Sequence, residues 1–445
     1  MAAPAAPSLP PGPRLPRLLQ TLGFIFFPAP FLAAARRRYG EIVTFSTSFD
    51  SGFVMVFDPG AIKEIFRASP DRLRAGEANA VLEPVVGRRS LLLLDGEEHL
   101  RQRRLMLPPF HGQRLKTYER VMREATDHAI EEWPVGQPFV LLPSMQSLTL
   151  EVIMSAIFGI EEGARREELK RRVRSLLEPI SPRLSLVLFA LLRGRFGDRG
   201  TVRRFEARRR ALDELIYDEI ARRRESPDLD QREDVFSMLL CARDDAGAPL
   251  SDRELRDELV TLLVAGHETT ATGLAWAFDL VLHAPAVLDK LTAELARGDD
   301  VYLDAVIKET LRLRAVVPGI GRVVRGEPFA LGSYLVPPGV EINPSIALTH
   351  RRPDHYPEPD AFRPERFLGA GAPDTYTWIP FGGGTRRCLG ASFALYEMRT
   401  VIRRVLERTQ LEATEDGLEK ILRRGVTQIP KGGVRVMQRA GPAPA

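Results

Sequence analysis

A chain of 445 residues with 44% hydrophobic and 27% charged content can bury a large core and has the make-up of a globular protein, not of a disordered chain. Its two cysteines, Cys241 and Cys388, exclude a disulfide scaffold and a cysteine-built zinc site and point to a reducing compartment. A formal net charge of only +4 argues against a dedicated nucleic-acid binder.

Residues 1–40 read as a Pro-rich leading segment and a first helix. The apolar stretch there is interrupted by Pro28 and Pro30, well short of the ~18 uninterrupted residues of a membrane span. No charged n-region or clear cleavage site marks a signal peptide. The segment is expected to pack as an amphipathic helix on a soluble, cytoplasmic body without a transmembrane anchor, with peripheral membrane contact as the lesser alternative.

From Glu41 to Phe57, "EIVTF" and "FVMVF" flank a turn and predict a β-hairpin. A helix begins at "DPGAIKEIF", and residues 71–90, with Gly76, Pro84 and Gly87, read as loop. "DGEEHLRQRRLMLPPF" contains a short helix that ends before Pro108. Leu115 to Arg224 is helical and arginine-rich, with an apolar piece at Leu184–Leu192. Ser251 and Glu254 form a capping box, opening a helical pattern that runs to His283 ahead of Pro285. Short strands follow Pro318, then an irregular Pro-rich run from Arg351 to Phe381, a last helix after Gly390, and terminal strands. No internal repeat or Gly/Ser-rich linker appears. The fold class is mainly α with a minor β region, and 41–445 reads as a single domain.

"FGGGTRRCLG" (Phe381–Gly390) surrounds one cysteine with glycines. A phosphate-binding P-loop would need Lys and Ser/Thr at its end, and none follows. Glycine lets backbone approach something flat, and a thiolate beside a helix N-terminus is stabilised by its amides. Such a cysteine suits an axial ligand to haem iron, against the plainer reading of a buried structural thiol. The stretch resembles the haem-binding signature of the cytochrome P450 family, with Phe381, Gly382, Gly384, Arg386, Cys388 and Gly390 at its fixed positions.

Other signatures of that family stand in order. "AGHETT" (Ala265–Thr270) resembles its oxygen-binding stretch; a zinc-protease helix is excluded because Ala271 stands where a second histidine belongs. Small Ala265 and Gly266 are expected to leave a groove for dioxygen. Thr269 is expected to donate a hydrogen bond to bound oxygen, and Glu268 to relay protons through water. "ETLR" (Glu309–Arg312) and Arg366 of "PERF" resemble a buried structural triad, while His99, Arg103, Arg322 and Arg386 match propionate-binding positions.

The resemblance implies a cytochrome P450 fold in one haem domain, haem b as cofactor and Cys388 as its metal ligand. It implies a haem-thiolate monooxygenase that uses O2 and two electrons from a ferredoxin or flavodoxin with its NAD(P)H reductase, acting as a monomer. Arg101, Arg104 and Arg387 are expected to form the donor-docking face. A hydrophobic substrate (fatty acid, terpenoid, steroid or macrocycle) is expected along Ala78–Val86, Leu184–Leu192, Leu262 to Thr270, Val316–Ile320 and Val426. A lid is expected near Gly194–Gly200. The alternatives are a haem-thiolate isomerase or peroxygenase, or a non-catalytic haem-binding homologue.

Overall fold

The computed structural model describes residues 8–48, 52–112, 114–159, 163–177, 199–369 and 373–439. Leu184–Leu192 and nearly all of the expected lid at Gly194–Gly200 lie outside them.

Ser251 starts the helix around which the rest is arranged. Its backbone N–H donates to Glu254 Oε2 at 2.8 Å, and Glu254 N–H returns a bond to Ser251 Oγ at 3.3 Å, so the capping box forms as the spacing predicts. The helix Asp252–Leu282 is buried nearly all round over its second half, the mark of a core helix. The helices Leu141–Ile153, Val301–Leu313 and Ala391–Arg408 pack against it. Pro285, which cannot continue a helix, opens the next one, Pro285–Ala296.

The sheets are small. The hairpin Ile42–Phe45 with Phe53–Val56 is antiparallel, and Phe53–Val56 then pairs parallel with Glu341–Pro344. Arg322–Val324 and Leu73–Arg74 complete five strands. A separate antiparallel hairpin, Ile421–Arg424 with Thr427–Pro430, lies against the central helix, where Trp276 Nε1 donates to Gln428 O at 3.0 Å.

Two stretches differ from expectation. Residues 71–90 are not loop but a strand, Leu73–Arg74, followed by the helical turns Ala75–Ala78, Ala80–Leu82 and Glu83–Val86. Pro84 occupies the first turn of the last of these, where its missing N–H costs nothing. The leading segment forms two helices, Arg17–Phe26 and Pro28–Tyr39, with Pro28 again in a first turn. Among the described residues one helix, Leu141–Phe158, is long and apolar enough to cross a membrane, and 67% of it is buried within the protein.

The expected structural triad forms. Arg312 and Glu309 are fully buried and doubly bonded, Nε–Oε2 at 2.6 Å and Nη2–Oε1 at 2.9 Å, with Arg366 Nε 3.3 Å from Glu309 Oε1. Arg312 also donates to the carbonyls of His350, Pro359 and Ala361, tying the irregular run to the helix. His350 completes this knot: its Nε2 accepts from Ile379 N–H at 2.8 Å, which leaves Nδ1–H to donate to Arg312 O at 3.2 Å. Burial, then Arg312, pushes its pKa down from 6.5 to about 3.

The fold thus holds the neutral ring, and a base with a depressed folded pKa stabilises fully above its unfolded pKa. That contribution is lost as pH falls from about 6.5 toward 3. Unfolding free energies from urea titrations are expected to drop across this window by up to ~1.4 kcal/mol per pH unit per histidine, with a shallower decline in His350→Gln. An unchanged slope in that variant would remove His350 from the account.

Candidate functional site

The cysteine loop is closed by its own backbone. Cys388 N–H donates to Phe381 O at 2.9 Å, and Arg387 N–H to Gly384 O at 3.1 Å. Gly382 and Gly384 take left-handed φ values of 67° and 64°, which side-chain-bearing residues rarely adopt. The expectation that all these glycines admit something flat needs correcting. A Cβ at Gly383 would stand 2.2 Å from the Phe66 ring, and one at Gly384 2.1 Å from the Phe66 carbonyl oxygen. Those two glycines seat the loop on the helix Pro59–Arg67. Phe381 packs edge-on to Trp378, with ring centroids 6.3 Å apart.

The Cys388 side chain is accessible, yet burial is the largest influence on its thiol and pushes its pKa up. Cys388 is thus an exposed residue whose thiol stands in desolvating surroundings. The Gly390 amide, Arg103 and Arg387 oppose the rise, and each would favour a thiolate.

Cations gather in the same region. His99 is buried, its Nδ1 has no hydrogen-bond partner, and burial followed by Arg386, Arg103 and Arg322 pushes it down to about 3. Arg322 and Arg386 are each held down to about 10, chiefly by burial. Asp95 is the carboxylate that meets this cluster, 2.5 Å from Arg386 Nη2, while it also accepts from Gly76 and Glu77 N–H. Buried Glu258 positions the helix Gly96–Met106 that carries His99 and Arg103. It accepts from Leu91 N–H at 2.6 Å and from Gln102. Burial pushes its own pKa up to about 8.

On the central helix, Ala265 is exposed although no other residue from Thr261 to Thr270 is. Thr269 lies one turn on, and its hydroxyl donates to Ala265 O at 2.6 Å. This corrects the expectation of a donor aimed at oxygen: the proton is committed to the helix, and the lone pairs of Oγ1 remain to accept. Gly266 also differs from expectation. A Cβ there would sit 2.3 Å from Ile153 Cδ1, so Gly266 faces a side chain of the helix Leu141–Ile153, while Ala265 is exposed.

Glu268 pairs with Arg424 at 3.2 Å, both side chains about one-fifth exposed. His267 turns into the core, its Nδ1 3.2 Å from Leu263 O. The helix following Cys388 is held against this one: Thr270 adjoins Glu397, whose carboxyl burial pushes up to about 8, and Met398 lies beside Gly273.

These residues pass a test of fit to haem. The group needs a thiolate for its iron, cations for two carboxylates and room beside a small-residue helix turn. Cys388 is accessible; His99, Arg103, Arg322 and Arg386 supply cationic or donor groups with one of them unpartnered; Ala265 provides the turn. Phe381 and Gly382 belong to the loop that carries the thiol.

Arg101 departs from its expected docking role, because it is tied inward to Asp244 at 2.5 Å and Glu254 at 3.0 Å. Arg104 has only an exposed pair with Asp245, and Arg387 is exposed. The sequence reading missed Asp95 and Arg424. No local motif marks either one, since Asp95 meets Arg386 and Arg424 meets Glu268 from segments far apart in sequence. Of the expected substrate segments, Val316 is joined to the C-terminal hairpin by Gln428 N–H to Val316 O at 2.7 Å, and Val426 is exposed at its tip.

A family model described as Cytochrome P450 matches residues 9–436. The chain is 41% identical to a Mycobacterium tuberculosis protein carried under the provisional name cytochrome P450 135B1, covering 99% of this chain and 93% of that one. It is 39% identical to cytochrome P450 137 of the same organism, also provisionally named, over 98% and 92% of the two chains. The solved structure of retinoic acid-bound cyanobacterial CYP120A1 superposes with a TM-score of 0.83 at 25% identity, covering 98% of this chain and all of that one. The heme domain of cytochrome P450DA, at a TM-score of 0.81 and 23% identity over 98% and 99% of the chains, shares the fold.

Proposed function

Since this chain belongs to the cytochrome P450 family, whose members are generally haem-thiolate monooxygenases, we propose that it hydroxylates or otherwise oxidises a hydrophobic small molecule with O2 and two externally supplied electrons. The observation that carries this reading is Cys388, accessible within desolvating surroundings and near the cluster of His99, Arg103, Arg322 and Arg386. The proposed setting is cytoplasmic, with one monomeric haem domain after the leading segment.

Haem, when bound, supplies the oxidising power: substrate, O2, two electrons and two protons become oxidised substrate and water. The protein's part is ligation, orientation and proton control. Cys388, held by the Gly390 amide, would give the iron an electron-rich sulfur. His99, Arg103, Arg322 and Arg386 would hold the two propionates. Thr269 Oγ1, bonded to Ala265 O, would accept a hydrogen bond from a pocket water and so hold a proton beside the haem. Glu268 carries protons inward, and its pairing with Arg424 at 3.2 Å holds the carboxylate in place. Leu262, Val316 and Val426 offer apolar contacts that exclude water and suit a hydrophobic substrate. The cyanobacterial neighbour was solved with retinoic acid, an apolar molecule of that class.

A ferredoxin or flavodoxin with its reductase is the proposed electron source, docking where Arg104 and Arg387 present positive charge. The test is reconstitution with such donors and a panel of fatty acids, terpenoids, steroids and macrocycles, read first as a Soret shift and then as product. Thr269→Ala is expected to keep consuming NADPH while product falls and peroxide accumulates. Glu268→Gln is expected to slow turnover on the order of 10²-fold. Arg387→Glu is expected to slow the first reduction and flatten its salt dependence. Full coupling in Thr269→Ala would overturn the proton-control reading. Product formation without any electron donor would favour a peroxygenase or isomerase.

A further inference from the structure

The helix Arg17–Phe26 is turned inside out for a helix on a water-facing body. Its buried side chains include the polar Gln20 and Thr21. Gln20 donates to Pro13 O at 3.1 Å and Leu15 O at 2.9 Å and accepts from Ser46 N–H at 3.0 Å. Thr21 Oγ1 accepts from Ser48 N–H at 2.9 Å. Phe24 adds a cluster with Phe31, Phe45 and Phe53, at ring centroid distances of 5.0–5.4 Å.

The opposite face carries Leu15, Leu18, Leu19, Leu22 and Phe26, and with Phe27 these side chains are 40% to 67% exposed. Leu19, Leu22 and Phe26 follow Leu18 by one, four and eight residues, which puts these four in one stripe, with Leu15 just before the helix. Scattered exposed apolar residues need no explanation, but a contiguous stripe on a helix anchored by its polar side chains does.

Charge identifies the occupant. Residues 1–40 contain five arginines (Arg14, Arg17, Arg36, Arg37 and Arg38) and no Asp, Glu or Lys. Arg36 is taken by Glu41 at 2.9 Å. Arg14 and Arg17, at the N-terminal end of the stripe, and Arg37 and Arg38 are exposed and have no acidic partner among the described residues. An apolar stripe flanked only by cations complements an interface that is apolar below and anionic at its surface. We propose that this face docks the protein on a bilayer containing anionic phospholipids, with the helix lying in the plane of the interface. The inference stands apart from the reaction proposed above, since it depends on no residue of the haem site.

The test uses the full-length haem-loaded protein in vesicle co-sedimentation, with phosphatidylcholine alone or mixed with phosphatidylglycerol, at low and high salt. Binding is expected only with the anionic mixture and is expected to weaken with salt. The variant Leu18→Ser/Leu22→Ser/Phe26→Ser, whose changes are all at exposed positions, is expected to lose about tenfold or more of that binding with its Soret spectrum and melting temperature unchanged. Arg14→Gln/Arg17→Gln is expected to lose about tenfold. Equal binding to neutral and anionic vesicles, or unaltered binding by the triple variant, overturns the proposal. So does an absence of vesicle binding accompanied by a concentration-dependent dimer that the triple variant abolishes, because the stripe would then face a second copy.

Discussion

Cys388→Ser is expected to leave a folded protein without monooxygenase turnover. The loop does not need the sulfur to close, since its bonds run from the Cys388 and Arg387 amides to Phe381 and Gly384 carbonyls. Haem is expected to bind at reduced occupancy, because His99, Arg103, Arg322 and Arg386 are untouched. The ligand chemistry changes fundamentally. A serine hydroxyl does not ionise near neutral pH and lacks the polarisable, electron-rich sulfur that assists O–O cleavage. The reduced, CO-bound band is expected to leave the thiolate region, and product is expected to fall to background. Cys241→Ser serves as the control: that exposed thiol, at the end of the helix Val235–Cys241, contacts Asp230 at 3.3 Å and no residue assigned to the site. A Cys388→Ser protein with an unaltered CO band would undo the ligand assignment.

The second large effect is on stability. Arg312→Leu strips a fully buried carboxylate, Glu309, of its paired cation and leaves three carbonyls without a donor. Breaking one side of such a buried pair costs about 3–5 kcal/mol, a large share of the ~5–15 kcal/mol that folded proteins possess. Arg366 is too distant and too weakly bonded, at 3.3 Å to one oxygen, to replace it. The expected result is a protein that expresses poorly, binds little haem and unfolds at much lower urea concentration. Arg312→Lys is expected to rescue little, since one ammonium cannot match a guanidinium that bonds both Glu309 oxygens and three carbonyls. A loss under about 1 kcal/mol would show that the knot is dispensable.

The site was legible in proportion to how local its signals are. Cys388 and its glycines sit within ten residues, and the helical partners Glu309 and Arg312 are one turn apart, so the family resemblance could rest on short motifs for both. The inward tie of Arg101 was not legible, because its partners Asp244 and Glu254 come from a distant segment. The role of Gly266 was misread for a related reason. Glycine announces that something comes close, but whether that is dioxygen or Ile153 depends on how two helices cross.

Chain-local chemistry therefore determined the helices, their caps, the left-handed glycines and the thiol with its family signature, since each depends on atoms a few residues apart. Packing decided the direction in which each side chain points. It paired Glu268 with Arg424. It also set Asp95 among the cations and turned the polar side of Arg17–Phe26 inward. These encounters join residues far apart in sequence or depend on which face of an element meets the core. Neither is written in the spacing of neighbours; both follow from how the elements bury their surfaces together.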